Sequence, residues 1–172
     1  TADDTLDHRC NTVGCVFPNT EIKLIGRESL ATVPRGEVGE ICARGYAIMK
    51  VYDDDPVATA EAVDGEGWLH TGDLAVMLPD GYFHLTGRKK DMIIRGGENV
   101  YPKEIESFIH QHPKVANVEV VGVPDMKLGE AVVAWIIPRP GCELTEQEIR
   151  DFCQGSIAHF KIPHYIRFVD SF

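Results

Sequence analysis

The sequence GRKKDMIIRGGENVYPKEIE at residues 87–106 ends one pattern of the chain and begins another. Its basic cluster at residues 88–90 is typical of a solvated turn where the chain changes direction. The apolar run at residues 92–94 is long enough for one short strand. The glycine pair at residues 96–97 accepts positive φ and allows close approach of another backbone or a thin ligand. Pro102 then predicts the first turn of a helix, where a missing N–H costs nothing.

The composition is that of an ordinary globular protein with an acidic balance. The chain has 172 residues, of which 44% are hydrophobic and 26% charged, enough for one domain or two small ones. A net charge of -10 argues against a nucleic-acid partner, because phosphate binding needs a basic face. No apolar stretch approaches the roughly 20 residues that span a bilayer, and the polar residues 1–7 predict no signal peptide.

The cysteines favour a reduced protein without a metal site. They are odd in number and scattered, whereas a disulfide framework favours an even count in a short secreted chain. A zinc site near the N-terminus would need a second ligand pair that the sequence does not supply. The five lie at positions 10, 15, 42, 142 and 153.

Residues 1–88 are rich in short alternating segments that predict strands with one buried face. Residues 79–81, Pro-Asp-Gly, are a strong hairpin signal between two such segments. Residues 53–56, Asp-Asp-Asp-Pro, predict the start of a short helix. Several short strands without a long helix between them predict a small β-barrel-like subdomain.

Residues 89–172 follow a different pattern and predict a compact α+β domain. A helix from Pro102 carries Ile105, Phe108 and Ile109 on one face. Residues 145–148, Thr-Glu-Gln-Glu, resemble a capping box, and the helix that they open is expected to continue to about residue 158. The β-branched segments give a three-stranded sheet with flanking helices, so the fold class of the chain is α+β. The three strands are expected at residues 115–123, 131–137 and 165–169.

Asp73, in the sequence Thr-Gly-Asp after an expected strand, is a candidate for binding a sugar. A carboxylate accepts two hydrogen bonds at once and therefore suits the vicinal 2′ and 3′ hydroxyls of a ribose. From these three residues alone, an aspartate that caps a turn is the better interpretation.

The same stretches resemble a known family. WLHTGD at residues 68–73, followed by GR-x-K-D-x-I-x-x-GG-x-N-x-x-P-x-E-I-E at residues 87–106, is similar to the signature of the AMP-forming adenylating enzymes. These include acyl-CoA synthetases, firefly luciferases and nonribosomal-peptide adenylation domains. The sequences at residues 95–102 and 159–163 look more like those of medium- or long-chain fatty-acyl-CoA synthetases than those of luciferases or peptide synthetases. The resemblance implies two half-reactions, which are adenylation of a carboxylate by ATP and transfer of the acyl group to coenzyme A.

The resemblance implies a role for particular residues. Asp73 and Arg88 match the family's ribose-binding pair, although Arg88 could instead bind a nearby phosphate. Lys90 matches the hinge about which the small C-terminal domain rotates, whereas chemistry alone favours a surface lysine. The turn Gly96-Gly97-Glu98 matches a loop that flanks the coenzyme A passage, and its glycines could equally serve only to make a turn between strand and helix.

The resemblance also implies what lies outside the chain. Residues 1–88 would be the end of the large N-terminal domain and residues 89–172 most of the mobile C-terminal domain. The family's phosphate loop is absent and its adenylation lysine is expected beyond Phe172, so we assign no catalytic residue and no metal ligand. We expect a fragment that is inactive alone.

The expected substrates of the parent enzyme are a fatty acid, ATP with Mg²⁺, and coenzyme A. It would be cytoplasmic, with peripheral membrane association as the alternative, and could be a homo-oligomer. Two rival interpretations remain, which are a non-catalytic binding module and an adenylating enzyme for a different carboxylate.

Overall fold

The computed structural model describes residues 4–27 and 29–172. The chain divides into two compact units between Lys89 and Lys90. We call residues 1–89 unit one and residues 90–172 unit two, and each has a sheet of its own. Within the described residues, no helix is long and apolar enough to cross a membrane.

Unit one contains an open antiparallel sheet of four strands in the order β1-β2-β3-β4. A small core of Leu24, Ala75 and Phe83 lies on the sheet. The α+β class is confirmed, but the expected barrel-like closure is not present, because no ladder in the described residues joins β1 to β4. Alternating sequence indicates strands but does not specify which edges pair. The elements are α1 Leu6–Asn11, β1 Thr20–Ile25, β2 Val38–Gly45, α2 Pro56–Ala62, β3 Leu69–Met77 and β4 Phe83–Arg88.

The turn signals of unit one are confirmed. The hairpin between β3 and β4 closes at residues 79–81, where Leu78 N donates to Tyr82 O at 2.8 Å. Asp55 caps α2 by accepting a hydrogen bond from Ala58 N at 2.8 Å, and proline follows it in the first turn. Both signals are local, because they depend on residues within four positions of one another.

Unit two is a mixed sheet with helices packed on it. Its ladder runs β6-β5-β8-β7, and β9 pairs in parallel with β8. The sheet has five strands rather than the expected three. The apolar run at residues 92–94 indicates the short strand β5 but not its place in this sheet, and β6 has only three residues, too few for a periodic signal. The elements are β5 Ile93–Arg95, β6 Glu98–Val100, α3 Pro102–Ile109, β7 Val115–Asp125, β8 Gly129–Pro138, α4 Glu146–Cys153, a 3-10 turn His159–Lys161 and β9 Tyr165–Phe168.

The two helices of unit two bury one face each. Ile105 and Ile109 of α3, and Ile149 and Cys153 of α4, are 0–1% exposed and join one core cluster with the sheet. The spacing of four residues puts each pair on one helical face. Each buried isoleucine contributes about 1.5–3 kcal/mol through its removal from water. This burial fixes both helices against the sheet.

Helix α4 begins as expected and ends early. Its capping box is complete, with Thr145 Oγ1 accepting from Glu148 N at 3.2 Å and Glu148 Oε2 accepting from Thr145 N at 2.9 Å. The helix ends at Cys153 rather than near residue 158. The next residue, Gln154, is extended, and Gly155 has a φ of 76°, which a helix cannot continue through.

Glu148 should make the stability of the chain depend on acid pH. Its pKa is lowered from 4.5 to about 2, first by the hydrogen bond from Lys114 and then by that from Thr145 N. Between these values the unfolded chain binds more protons, so the stabilisation is present above pH 4.5 and is lost as the pH falls towards 2. We expect Glu148→Gln to lower Tm by a few degrees at pH 7 and to flatten the decline of Tm in acid.

The measurement is Tm by circular dichroism across this pH range. Glu143→Gln is the matched control, because Glu143 is exposed and precedes the cap of the same helix. An acid decline as steep in Glu148→Gln as in the wild type would contradict the assignment.

Candidate functional site

The sequence Thr71-Gly72-Asp73 lies in a bulge inside β3, not after a strand as expected. These three residues of β3 oppose one residue of β2, Ile41, so the ladder is interrupted there. Thr71 Oγ1 donates to Ile41 O at 2.9 Å and accepts from Asp73 N at 3.1 Å. Gly72 has a φ of 73°, a conformation that favours glycine. The bulge therefore gives Asp73 a defined backbone position within the sheet.

Asp73 and Arg88 face each other across β3 and β4. They are register partners, and Arg88 Nε lies 3.0 Å from Asp73 Oδ1. Their side chains are 33% and 58% exposed, so both remain accessible to a ligand. The ion pair joins one carboxylate oxygen to one guanidinium nitrogen, whereas the two groups together offer several acceptor and donor positions. This arrangement can bind a vicinal diol.

A buried carboxylate, Glu40, lies beside the bulge. The side chain of Glu40 is 4% exposed. Its Oε1 accepts from Gly72 N at 3.3 Å, and its Oε2 accepts from Lys89 Nζ at 2.7 Å. Sequence reasoning missed this residue. The sequence does contain a signal for it. Side chains two positions apart in a strand share a face, so Glu40 lies on the same face of β2 as the buried Cys42.

A histidine continues the polar cluster behind Glu40. His70 Nδ1 lies 3.9 Å from Glu40 Oε2, and its Nε2 lies 3.3 Å from Asp64 Oδ2. A hydrogen bond from the backbone N–H of Trp68 is the main reason that the pKa of the Asp64 carboxyl lies below its ordinary value. Burial raises the pKa of the nearby Cys42 thiol to about 11, so this sulfur is neutral near pH 7 and is a poor nucleophile.

Lys90 lies in the turn between β4 and β5, at the boundary of the two units. Strand β4 ends at Arg88 and β5 begins at Ile93, so no regular element runs through the exposed Lys90. The preceding residue is anchored in unit one, since Lys89 N donates to Gly72 O at 2.8 Å. Lys90, the first residue of unit two, therefore follows directly on a residue whose backbone is hydrogen-bonded within unit one.

The glycine pair of unit two forms the turn of the β5–β6 hairpin, between two strands rather than between strand and helix. Gly96 and Gly97 have φ values of 61° and 89°, and they separate the register partners Arg95 and Glu98. Two consecutive positive φ values define the tight turn that suits a hairpin. The space around Gly97 is open, so backbone conformation rather than crowding requires glycine there.

Two protein-family models match the chain in separate segments. The AMP-binding enzyme model matches residues 1–53, and the model of the AMP-binding enzyme C-terminal domain matches residues 104–172. Together they cover more than half of the chain, in the order that its two units follow. The chain belongs to the AMP-binding enzyme family. The Asp73–Arg88 pair and the boundary lie between the two matched segments.

Individual relatives agree with the family assignment. YngI of Bacillus subtilis, named as a candidate acyl-CoA synthetase, is 50% identical over 171 residues, which are 99% of this chain and 31% of YngI. The human mitochondrial medium-chain acyl-CoA ligase ACSF2 is 46% identical over 170 residues, which are 99% of this chain and 28% of ACSF2.

A solved structure agrees as well. ATP-bound MatB from Rhodopseudomonas palustris has a TM-score of 0.88 and 37% identity, over 94% of this chain and 32% of MatB. This chain thus spans less than a third of the length of each of these three proteins.

Proposed function

We propose that the enzyme containing this chain is an AMP-forming acyl-CoA ligase. In its first half-reaction a carboxylate oxygen attacks the α-phosphorus of ATP, the bond to the β-phosphate breaks, and pyrophosphate leaves. In the second, the sulfur of coenzyme A attacks the acyl carbon, the acyl–phosphate bond breaks, AMP leaves, and the thiol proton passes to solvent. The observation that carries the proposal is the accessible ion pair in which Arg88 Nε lies 3.0 Å from Asp73 Oδ1. Only Lys89 separates Arg88 from the boundary between the two units.

Asp73 and Arg88 would hold the ribose of the nucleotide in both half-reactions. The carboxylate would accept hydrogen bonds from the 2′ and 3′ hydroxyls, and the guanidinium would donate to the same hydroxyls or to a phosphate oxygen. The ion pair supports this role, because each partner holds the other in place before the sugar arrives. A pre-organised pair loses less conformational entropy when the ligand binds.

Lys90 would be the hinge between the half-reactions. A hinge residue must absorb a large change in φ and ψ while remaining solvated, and an exposed residue in a turn between two compact units meets both requirements. Gly96, Gly97 and Glu98 would flank the passage of coenzyme A, since an exposed turn without β-carbons offers a thin arm little obstruction.

Magnesium would be carried by the phosphates of ATP. In the part of the chain that the structure describes, no group of three or more His, Cys, Asp or Glu side chains is placed to hold a metal ion. In this proposal the chain's own residues bind the nucleotide through its sugar, and Mg²⁺ would enter with the phosphates as part of the substrate.

We propose a medium-chain fatty acid as the acid substrate. The name of ACSF2 describes a medium-chain acyl-CoA ligase, and that relative is 46% identical over 99% of this chain. The acid pocket itself would lie in the part of the enzyme outside this chain. The support is therefore the relationship and not the geometry of a pocket.

Pyrophosphate exchange on the full-length enzyme tests this function. Labelled pyrophosphate should enter ATP only when an acceptable acid is present, and medium-chain fatty acids should give the fastest exchange in a panel that includes short, long and aromatic acids. Exchange with an aromatic acid alone would contradict the proposed substrate. The absence of both exchange and ATP binding would contradict the enzyme and favour a non-catalytic binding module.

A further inference from the structure

We infer that Glu40 is a positioning residue, which holds the two proposed ribose ligands, Asp73 and Arg88, in register without contacting the nucleotide. The inference rests on the proposed role of Asp73. It concerns a buried side chain in the middle of β2 that is far from both ligands in sequence.

Three hydrogen bonds close a ring around Glu40. Gly72 N donates to Glu40 Oε1 at 3.3 Å, Lys89 Nζ donates to Glu40 Oε2 at 2.7 Å, and Lys89 N donates to Gly72 O at 2.8 Å. Gly72 immediately precedes Asp73, and Lys89 immediately follows Arg88. The ring therefore ties together the chain neighbours of both ligands.

The charge of Glu40 matters because the carboxylate is buried. Burial of a carboxylate is offset by hydrogen bonds to both oxygens and by an opposite charge nearby, and the ring supplies both. Lys89 is 38% exposed at its side chain, so the cation reaches Glu40 from the surface. His70, which Asp64 holds on its other nitrogen, lies 3.9 Å from the same Oε2 and limits the space for rearrangement.

A glutamine in place of Glu40 would break this ring while keeping its shape. Gly72 N and Lys89 Nζ donate to different carboxylate oxygens, and in glutamine one of these positions is an NH2 group, which donates and cannot accept, so one of the two bonds is lost. The bulge that carries Asp73 would then lose one of its anchors. We expect Glu40→Gln to raise KM for ATP about tenfold in the full-length enzyme, with KM for the acid unchanged.

The matched control is Glu21→Gln. Glu21 pairs with Arg44 at 2.8 Å in the same sheet, so this variant makes the same substitution in another ion pair of unit one. We expect its KM for ATP to match the wild type. Lys89→Met removes the exposed partner of Glu40 and should reproduce the effect of Glu40→Gln, including in the event that Glu40→Gln does not fold.

The decisive comparison adds Asp73→Ala and Arg88→Ala together to each variant. If Glu40 acts by positioning Asp73 and Arg88, Glu40→Gln should change KM for ATP by less than about twofold when both of these ligands are already replaced. If the substitutions instead raise KM for ATP by independent factors that multiply, the positioning role of Glu40 is overturned and the ribose role of Asp73 remains intact. An Asp73→Ala enzyme with the wild-type KM for ATP would overturn the ribose role itself, and with it this inference.

Discussion

Replacing Asp73 with alanine should raise KM for ATP of the full-length enzyme by about 100-fold while leaving KM for the acid within about twofold of the wild type. The carboxylate is proposed to accept hydrogen bonds from two ribose hydroxyls, and a charge-assisted hydrogen bond contributes about 1.5–3 kcal/mol. A tenfold change corresponds to about 1.4 kcal/mol, so even the lower value for both bonds gives this factor. Initial rates of pyrophosphate release against ATP concentration measure it.

The control for this prediction is Asp53→Ala. Asp53 is an exposed aspartate of the same unit, outside β3 and β4, and its loss should leave KM for ATP unchanged. A similar rise in KM for ATP in both variants would assign the effect to the general charge of unit one. A rise in KM for the acid equal to that for ATP would point to misfolding of the site.

Replacing Lys90 with proline should separate the two half-reactions. Proline fixes φ near −65° and removes a backbone N–H, so a residue that must rotate between two conformations would be held in one. We expect one half-reaction to remain within about threefold of the wild type and the other to fall by about 100-fold or more, because a blocked conformational step removes one assembled site. Which one survives depends on the domain orientation that this φ permits.

Single-turnover kinetics distinguish the two steps. Pyrophosphate release with acid and ATP reports adenylation, and conversion of a supplied acyl-adenylate to the thioester reports transfer to coenzyme A. Lys90→Ala is the control, since it removes the charge but leaves φ free. Equal loss of both half-reactions in Lys90→Pro, or no loss of either, would argue against a hinge at this position.

The sequence predicts elements well where the interactions are local. The hairpin at residues 79–81, the cap at Asp55 and the capping box of α4 each involve neighbours within four positions, and all three are present. The face of α3 is also predictable, because Ile105 and Ile109 recur at the helical period and are buried. These features need no knowledge of the rest of the fold.

Long-range geometry was not predictable in the same way. Glu40 binds Gly72 and Lys89, which are 32 and 49 positions away, and these contacts exist because β2 pairs with β3 and β3 pairs with β4. The bulge of β3 depends on its register with β2, which periodicity does not specify. The five-stranded sheet of unit two was not predicted for a related reason. The run at residues 92–94 indicates a short strand but not its partners, and β6 becomes visible only through its pairing with β5.

The glycine turn shows how one residue type can have two explanations. Resemblance associates Gly96 and Gly97 with the coenzyme A passage, while the structure accounts for both glycines by their positive φ. The two explanations predict different results, because a turn-forming residue tolerates asparagine better than alanine. We expect Gly97→Asn to retain more thermal stability than Gly97→Ala, measured as Tm, and the reverse order would contradict the turn assignment.

The most direct test of the account compares ATP with 2′,3′-dideoxy-ATP in the wild-type enzyme and in Asp73→Ala. If Asp73 binds the ribose hydroxyls, the wild type should prefer ATP by about 100-fold in kcat/KM, and this preference should fall by about tenfold or more in the variant, because the carboxylate that accepts from those hydroxyls is gone. A preference for ATP that is as large in Asp73→Ala as in the wild type would contradict the assignment of this site.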